Sequence, residues 1–247
     1  MSEDFLIVIP ARIGSKRIVQ KPLRKIYDKP LIGWVYEAAR KITKNVIVAT
    51  DSEEIVRVVE KLGGMAVITS RELPSGTDRV AEAVKRCGFN FRYIVNIQGD
   101  EPFVDESHVF PVVERLRKGD KFATVAVKFA SADEVLDSNN VKVVLDKFGY
   151  ALYFSRYPIP YNRYGVMESS DYFKHLGIYG FEKESLFRFV SWDVGFLEKA
   201  EKLEQLRILE YGEKIAVSIV STYGFGIDTE EDLKKAEKLL KERFNGC

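Results

Sequence analysis

The chain has 247 residues, with 46% hydrophobic and 30% charged residues. This is an ordinary soluble balance, and a chain of this length buries enough surface to fold without disulfides or structural metals. Lys and Arg total 38 against 37 Asp and Glu, a net charge of +1, which excludes a global electrostatic case for nucleic-acid binding. The two cysteines, Cys87 and Cys247, are far apart and form no C-x-x-C, and there are only two histidines, His108 and His175. A disulfide scaffold, a cysteine zinc site and a multi-histidine metal site are therefore not expected. The first apolar run is far too short to span a membrane, and it follows the acidic Ser2-Glu3-Asp4, the wrong charge for a signal peptide. A reduced, cytoplasmic protein with no membrane or nucleic-acid partner is expected.

In chain order, Phe5 to Ile9 is a continuous apolar run, as in a strand buried on both faces of a parallel sheet; Asn45 to Ala49, Met65 to Ile68 and Tyr93 to Ile97 repeat the signal. Helical patterns lie between them at Leu31 to Lys41, Glu53 to Leu62 and Asp78 to Arg86. Gly63-Gly64 stops the second helix, and Thr77 is the expected cap of the third. Such alternation predicts right-handed βαβ crossovers and an α/β sheet. The second half is less regular. Strands are expected at Ala123 to Phe129, Val141 to Asp146, Ala151 to Phe154, His175 to Phe181 and Ile215 to Val220. Helices are expected at Lys183 to Val190 and Leu203 to Glu210, and from a Thr229 cap to about Phe244. One domain over 1–247 is expected, with a subregion near 130–210.

Five segments carry chemistry-bearing residues. The loop after the first strand holds Arg12, Lys16, Arg17, Lys21 and Arg24 with Gly14 and Ser15 and no acid. Ligands of α/β sheets bind at strand carboxyl ends, so this loop suits a polyphosphate, the alternative being a solvated basic loop. It is neither a P-loop nor a dinucleotide fingerprint. Asp100, in Asn96-Ile97-Gln98-Gly99-Asp100-Glu101-Pro102, follows a buried strand. A carboxylate there needs a cation, and magnesium takes one or two carboxylates plus substrate phosphates; otherwise Asp100 makes an Asx-turn. Asp228, in Gly226-Ile227-Asp228-Thr229, is a second metal candidate or a helix-terminal residue. Pro74-Ser75-Gly76-Thr77-Asp78-Arg79 allows close backbone approach and adds a planar donor, suiting a base or ribose as well as a capping turn. In the second half, Arg156, His175, Tyr179, Glu204, Gln205 and Arg207 together suit a polyhydroxylated acid, although each singly fits a structural role. His175 and Tyr179, four apart, share one face of a strand. Neither a Ser-His-Asp order nor an activated cysteine is visible, so metal-assisted transfer on a phosphate is the chemistry implied.

The ordered set Ile9-Pro10-Ala11-Arg12, Lys21-Pro22-Leu23, Thr50-Asp51, Ser75-Gly76-Thr77-Asp78-Arg79, Asn96 to Pro102, Val141-Lys142-Val143-Val144, Tyr153-Phe154-Ser155-Arg156, His175 to Gly180, Leu203 to Arg207 and Gly226-Ile227-Asp228-Thr229 resembles the 3-deoxy-manno-octulosonate (Kdo) cytidylyltransferases. The match runs in order from about residue 5 to 235. The resemblance implies a nucleotide-diphospho-sugar transferase (Rossmann-like) fold: a mostly parallel mixed central sheet flanked by helices, with a smaller inserted β-rich subregion for sugar binding and dimerisation. It implies a homodimer that makes CMP-Kdo and pyrophosphate from CTP and Kdo for lipopolysaccharide synthesis. By matching position, Asp100 and Asp228 hold Mg²⁺, and Arg12, Ser15, Arg17 and Lys21 hold the triphosphate, with Arg12 and Lys21 acting in catalysis. Ala11, Ser75, Gly76, Thr77, Arg79 and Gln98 complete the nucleotide site. Gln98, Arg156, His175, Tyr179, Glu204 and Gln205 face Kdo. Another sugar-acid cytidylyltransferase and a non-catalytic nucleotide-binding subunit are the competing readings. One departure stands out: where the family usually reads Arg-Leu-Pro-Gly-Lys, this chain reads Arg17-Ile18-Val19-Gln20-Lys21. If that glycine has φ > 0, Gln20 holds the same shape at a cost of about 1 kcal/mol or more.

Overall fold

The computed structural model describes residues 4–14, 18–163, 168–222, 225–227 and 229–245. The chain divides into two compact units, Met1–Glu106 with Gly224–Cys247, and Ser107–Tyr223.

The first unit is built on strand β1 (Phe5–Ala11), buried at every position. After β1 the chain passes Gln20, in the left-handed region at φ 50 and ψ 39, and a single 3-10 turn at Lys21–Leu23. A short antiparallel hairpin follows, β2 (Lys25–Ile26) and β3 (Lys29–Pro30). Next come α1 (Leu31–Ile42), β4 (Val46–Thr50), α2 (Glu53–Lys61), β5 (Met65–Ile68), α3 (Gly76–Cys87) and β6 (Tyr93–Ile97). The strands lie in the order β6-β1-β4-β5, every pair parallel, as the continuous apolar runs predict. Helix α2 shows why its sequence folds so. Ile55 and Val59, one turn apart, are its buried residues, two acids open its first turn, and Gly63 leaves it at φ 71.

One expectation fails at α3. Its cap is Ser75, not Thr77: the Ser75 hydroxyl accepts from Asp78 N–H at 3.1 Å and donates to the Asp78 carboxylate at 2.6 Å. Ser75 has the extended backbone a cap needs, whereas Thr77 is already inside the first turn and buried.

The second unit opens with α4 (Glu106–Arg117) and β7 (Phe122–Lys128), and continues with α5 (Ala132–Leu136), β8 (Lys142–Leu145), β9 (Ala151–Ser155), β10 (Phe173–Glu182), α6 (Lys183–Ser191), α7 (Phe196–Glu201), α8 (Leu206–Glu210) and β11 (Ala216–Val220). Its sheet is mixed: β11 is parallel to β7, while β10 pairs antiparallel with both β7 and β8, and β8 with β9. Phe122, Phe181, Phe189 and Trp192 form an aromatic cluster, T-shaped between Phe122 and Phe181 and between Phe189 and Trp192, and tilted between Phe181 and Phe189. The helix expected from Leu203 begins only at Leu206, so Glu204 and Gln205 lie in the preceding turn.

Helix α9 (Glu230–Asn245) completes the first unit. Thr229 Oγ1 accepts from Asp232 N–H at 3.1 Å, and the Asp232 carboxylate accepts from Thr229 N–H at 2.9 Å, the reciprocal cap the sequence predicts. Among the described residues, no helix is long and apolar enough to cross a membrane.

Gln20 occupies the conformation that glycine favours, at a penalty of about 1 kcal/mol. Gln20→Gly is expected to raise the urea midpoint, by up to about 1 kcal/mol in unfolding free energy, and β-branched Gln20→Val to lower it by more than that. Equal midpoints for the two variants would mean that the turn is not held left-handed.

Candidate functional site

In the first unit the carboxyl ends of β1 and β6 and the start of α3 enclose a cleft of about 580 Å³. Ala11, Arg12, Lys21, Ser75, Gly76, Arg79, Gln98 and Asp100 line it, so eight of the expected site residues meet in one place. Parallel pairing explains the convergence. Ala11 is in register with Thr50 and Val8 with Asn96, so the residues that leave these strands emerge side by side. Gly99 allows close approach: a Cβ there would stand 2.8 Å from the Pro10 carbonyl oxygen. At Gly76 a Cβ would find its nearest neighbours, the Gln98 and Pro10 side chains, at 3.7 Å. Thr77 lies below the cleft, fully buried, and its hydroxyl accepts from the Asn96 amide at 3.5 Å. Ser15, Arg17 and Asp228 lie outside the described residues.

Two ion pairs organise this surface. Lys21 Nζ lies 2.6 Å from Asp100 Oδ2, with the two side chains 13% and 30% exposed. Arg79, 3% exposed, lies 3.7 Å from Asp51 and also bonds the Thr69 hydroxyl and the Ser70 carbonyl. Burial pushes the Arg79 pKa down while Asp51 and Glu82 pull it up. The other Asp51 oxygen accepts from Ile13 N–H at 3.0 Å, tying the backbone of the segment after β1 to the end of β4. Asp51 is the residue that sequence reasoning left without a role. Its signal was available: it is a carboxylate directly after the buried strand β4, as Asp100 is one three residues past the end of β6.

Arg12, exposed at the lip, and Lys21 bring positive charge to the cleft, a chemistry able to hold phosphates. The Asp100 carboxylate is a hard oxygen donor open to the same cleft, facing a cation rather than an apolar wall. This fits magnesium, which needs only one or two protein carboxylates when substrate phosphates complete its shell. Among the described residues, no cluster of three metal-ligating side chains offers an all-protein cage.

The remaining expected residues belong to the second unit. His175 is buried, and burial drops its pKa to about 3, so the imidazole is neutral at physiological pH. Its ring lies edge-on to Phe154 at 5.0 Å and 5.2 Å from the Tyr179 ring. Four residues of regular strand would span about 13 Å. A bulge between Leu176 and Tyr179 brings the two rings together. Burial, and then the Glu204 charge, push the Tyr179 pKa up, so the phenol keeps its proton. Gln205 is buried with no hydrogen-bond partner for its Nε2 among the described residues, a group that a ligand acceptor would satisfy. Arg156 is pinned by bonds from its guanidinium to the Glu201 and Ser138 carbonyls. Arg207, grouped with these residues in the sequence, is instead held bidentate by Glu198.

Comparison with known proteins places this geometry. A family model described as cytidylyltransferase matches residues 6–215. The 3-deoxy-manno-octulosonate cytidylyltransferase of Rickettsia prowazekii is 42% identical over 244 residues, which cover 98% of this chain and 97% of that protein. The enzyme of the same name from Thermodesulfovibrio yellowstonii is 44% identical over 248 residues, 95% and 97% of the two chains. Among solved structures, CMP:2-keto-3-deoxy-manno-octonic acid synthetase complexed with CTP superposes with a TM-score of 0.89 at 36% identity, covering 98% of this chain and 100% of that one.

The Asp51 links yield a stability test. Asp51→Ala is expected to lower the unfolding free energy by about 3 kcal/mol, because it leaves Arg79 charged and buried without its carboxylate. Asp51→Asn, which keeps an acceptor for Ile13 N–H, is expected to cost less. Urea denaturation measures both, and a loss below about 1 kcal/mol for the alanine variant would dismiss the anchoring role.

Proposed function

The chain belongs to the cytidylyltransferase family, and on that premise we propose that it transfers the cytidylyl group of CTP to Kdo, giving CMP-Kdo and pyrophosphate. The observation that carries this reading is the nearly full-length likeness to Kdo cytidylyltransferases, together with a cleft whose three cations, Arg12, Lys21 and Arg79, and one carboxylate, Asp100, suit a metal-bound triphosphate. The reading includes Mg²⁺ as cofactor, a homodimer as working form and the cytoplasm as compartment.

In the reaction the hydroxyl oxygen on the anomeric carbon of Kdo bonds to the α-phosphorus as its proton is released to water. The bond from that phosphorus to the oxygen bridging to the β-phosphate breaks, and pyrophosphate leaves. Such transfers depend on positioning and on stabilising charge spread over the phosphoryl oxygens. Arg12 and Lys21 take the phosphate charge. Ser75, Gly76 and Arg79 lie where the nucleoside end can pack, with the Arg79 plane fixed by Asp51, Thr69 and Ser70. Gln98 offers an amide that both donates and accepts. Magnesium, when bound, supplies charge neutralisation on the phosphates and lowers the pKa of the attacking hydroxyl, and Asp100, with Asp228 by family position, would hold it. In the second unit, Arg156 gives the sugar acid a cation for its carboxylate, and neutral His175, Tyr179 and Gln205 give uncharged hydrogen-bonding groups for its hydroxyls.

The test is pyrophosphate release with CTP, Kdo and Mg²⁺, omitting each in turn. Release that requires all three is expected. Release with sialic acid in place of Kdo, or CTP binding without release, would replace the Kdo reading by one of its competitors. Asp100→Asn is expected to bind CTP within a few-fold of the parent while turnover falls at least about 10²-fold; near-normal turnover would remove Asp100 from the metal site.

A further inference from the structure

Thr124, near the start of β7, is fully buried and lies opposite the irregularity in β10. The pairing runs Leu176 with Val125 and then Tyr179 with Thr124, so Gly177 and Ile178 fall out of register. Two carbonyls therefore converge on one hydroxyl. Thr124 Oγ1 is 2.7 Å from the Ile178 oxygen and 3.4 Å from the Leu176 oxygen. Its third neighbour is His175 Nε2, at 2.9 Å.

Proton counting settles the direction of these bonds. A threonine hydroxyl has one proton and spare lone pairs, and a carbonyl oxygen only accepts. The single proton thus goes to a carbonyl, and the 2.7 Å contact to Ile178 marks which one. The hydroxyl oxygen is left to accept, so His175 Nε2 must donate. The opposite tautomer would set the Nε2 lone pair against an oxygen whose proton is already committed, a costly arrangement at a buried site. A neutral imidazole protonated at Nε2 is bare at Nδ1, and Nδ1 bonds to no described residue. The Phe154 edge on one side and the Tyr179 ring on the other fix the plane of the imidazole.

We infer that Thr124 is a positioning residue that locks His175 in the Nε2–H tautomer, so that Nδ1 is presented as a hydrogen-bond acceptor to a hydroxyl of the sugar acid. The inference rests on the reading of His175 as a sugar-acid contact. It also assigns a selectivity: an acceptor-only nitrogen takes a hydroxyl proton and repels a carboxylate oxygen, so the substrate's carboxylate is directed elsewhere.

The test uses the full chain labelled with ¹⁵N, which has only two histidines. A His108→Gln variant assigns the ring signals. At neutral pH, His175 is expected to show a protonated, pyrrole-type Nε2 and a pyridine-type Nδ1. A pyridine-type Nε2 in the parent chain overturns the proposal, and this arm needs no substrate and no Thr124 variant. In Thr124→Val the tautomer is expected to become mixed and the KM for Kdo to rise about tenfold with the KM for CTP unchanged, and Thr124→Ser is expected to restore both. A folded valine variant that keeps both the Nε2–H tautomer and the parent KM for Kdo overturns it as well. If the parent shows the Nε2–H tautomer but no turnover of Kdo, the sugar reading falls and the acceptor role with it, while the hold of Thr124 on the ring stands.

Discussion

The register of β1 between β4 and β6 is the constraint on which the first unit's cleft depends. Because Ala11 is level with Thr50 and Val8 with Asn96, Arg12, Asp51 and Gln98 leave the sheet together. A slip of one residue would displace a strand end by about 3.3 Å and exchange its two faces. Backbone pairing of buried apolar strands thus sets where Arg12, Asp51 and Asp100 emerge, while Lys21 and Arg79 reach the cleft from the 3-10 turn and α3. The approach of Gly99 to the Pro10 carbonyl shows how tight the tolerance is.

The two carboxylate–cation pairs of that surface differ in kind. Arg79 and Asp51 are nearly inaccessible, and their pairing is reinforced by bonds from Arg79 to Thr69 and Ser70 and by Ile13 N–H on Asp51. Breaking such a pair strands a charge in low dielectric, so it behaves as scaffold. Lys21 and Asp100 are closer, at 2.6 Å, but partly solvated. Partial exposure makes this pair easier to exchange than the buried one, in keeping with the proposal that Lys21 takes phosphate charge and Asp100 a metal ion. On the proposed function, the rigid pair lies at the nucleoside end of the cleft and the exchangeable one at the phosphate end.

The sequence made the frame of the first unit legible because buried parallel strands write continuous apolar runs. Phe5 to Ile9, Asn45 to Ala49 and Tyr93 to Ile97 are each a strand to within two residues. The left-handed turn at Gln20 was also legible, since losing a glycine leaves its backbone requirement in place. Other features were hidden for identifiable reasons. Helix α4 carries Pro111 in its middle, which reads as a breaker. Ser75 and Thr77 are equally good caps by type, and only the backbone at Ser75 decides between them. The contact of His175 with Tyr179 requires two residues to leave the ladder, which a period of two cannot express. Asp51 lacked a reading because its partners, Ile13 and Arg79, are 38 and 28 positions away on other elements.

The two units follow opposite electrostatic strategies, each matched to the chemistry it is proposed to handle. A triphosphate is recognised by charge, and the first unit places exposed Arg12 at the lip of its cleft and Lys21, only partly exposed, deeper in. A polyhydroxylated acid presents mostly neutral donors and acceptors that resemble water. Discriminating them requires groups removed from water with fixed proton positions, because an unmet hydrogen bond is costly only in a dry site. His175 and Tyr179 meet that condition: burial strips the charge from the imidazole and keeps the proton on the phenol. A strand bulge, a feature that weakens the ladder locally, therefore has a chemical use here. It frees the Ile178 carbonyl to take the Thr124 proton, and once that proton is placed, so is the one on His175.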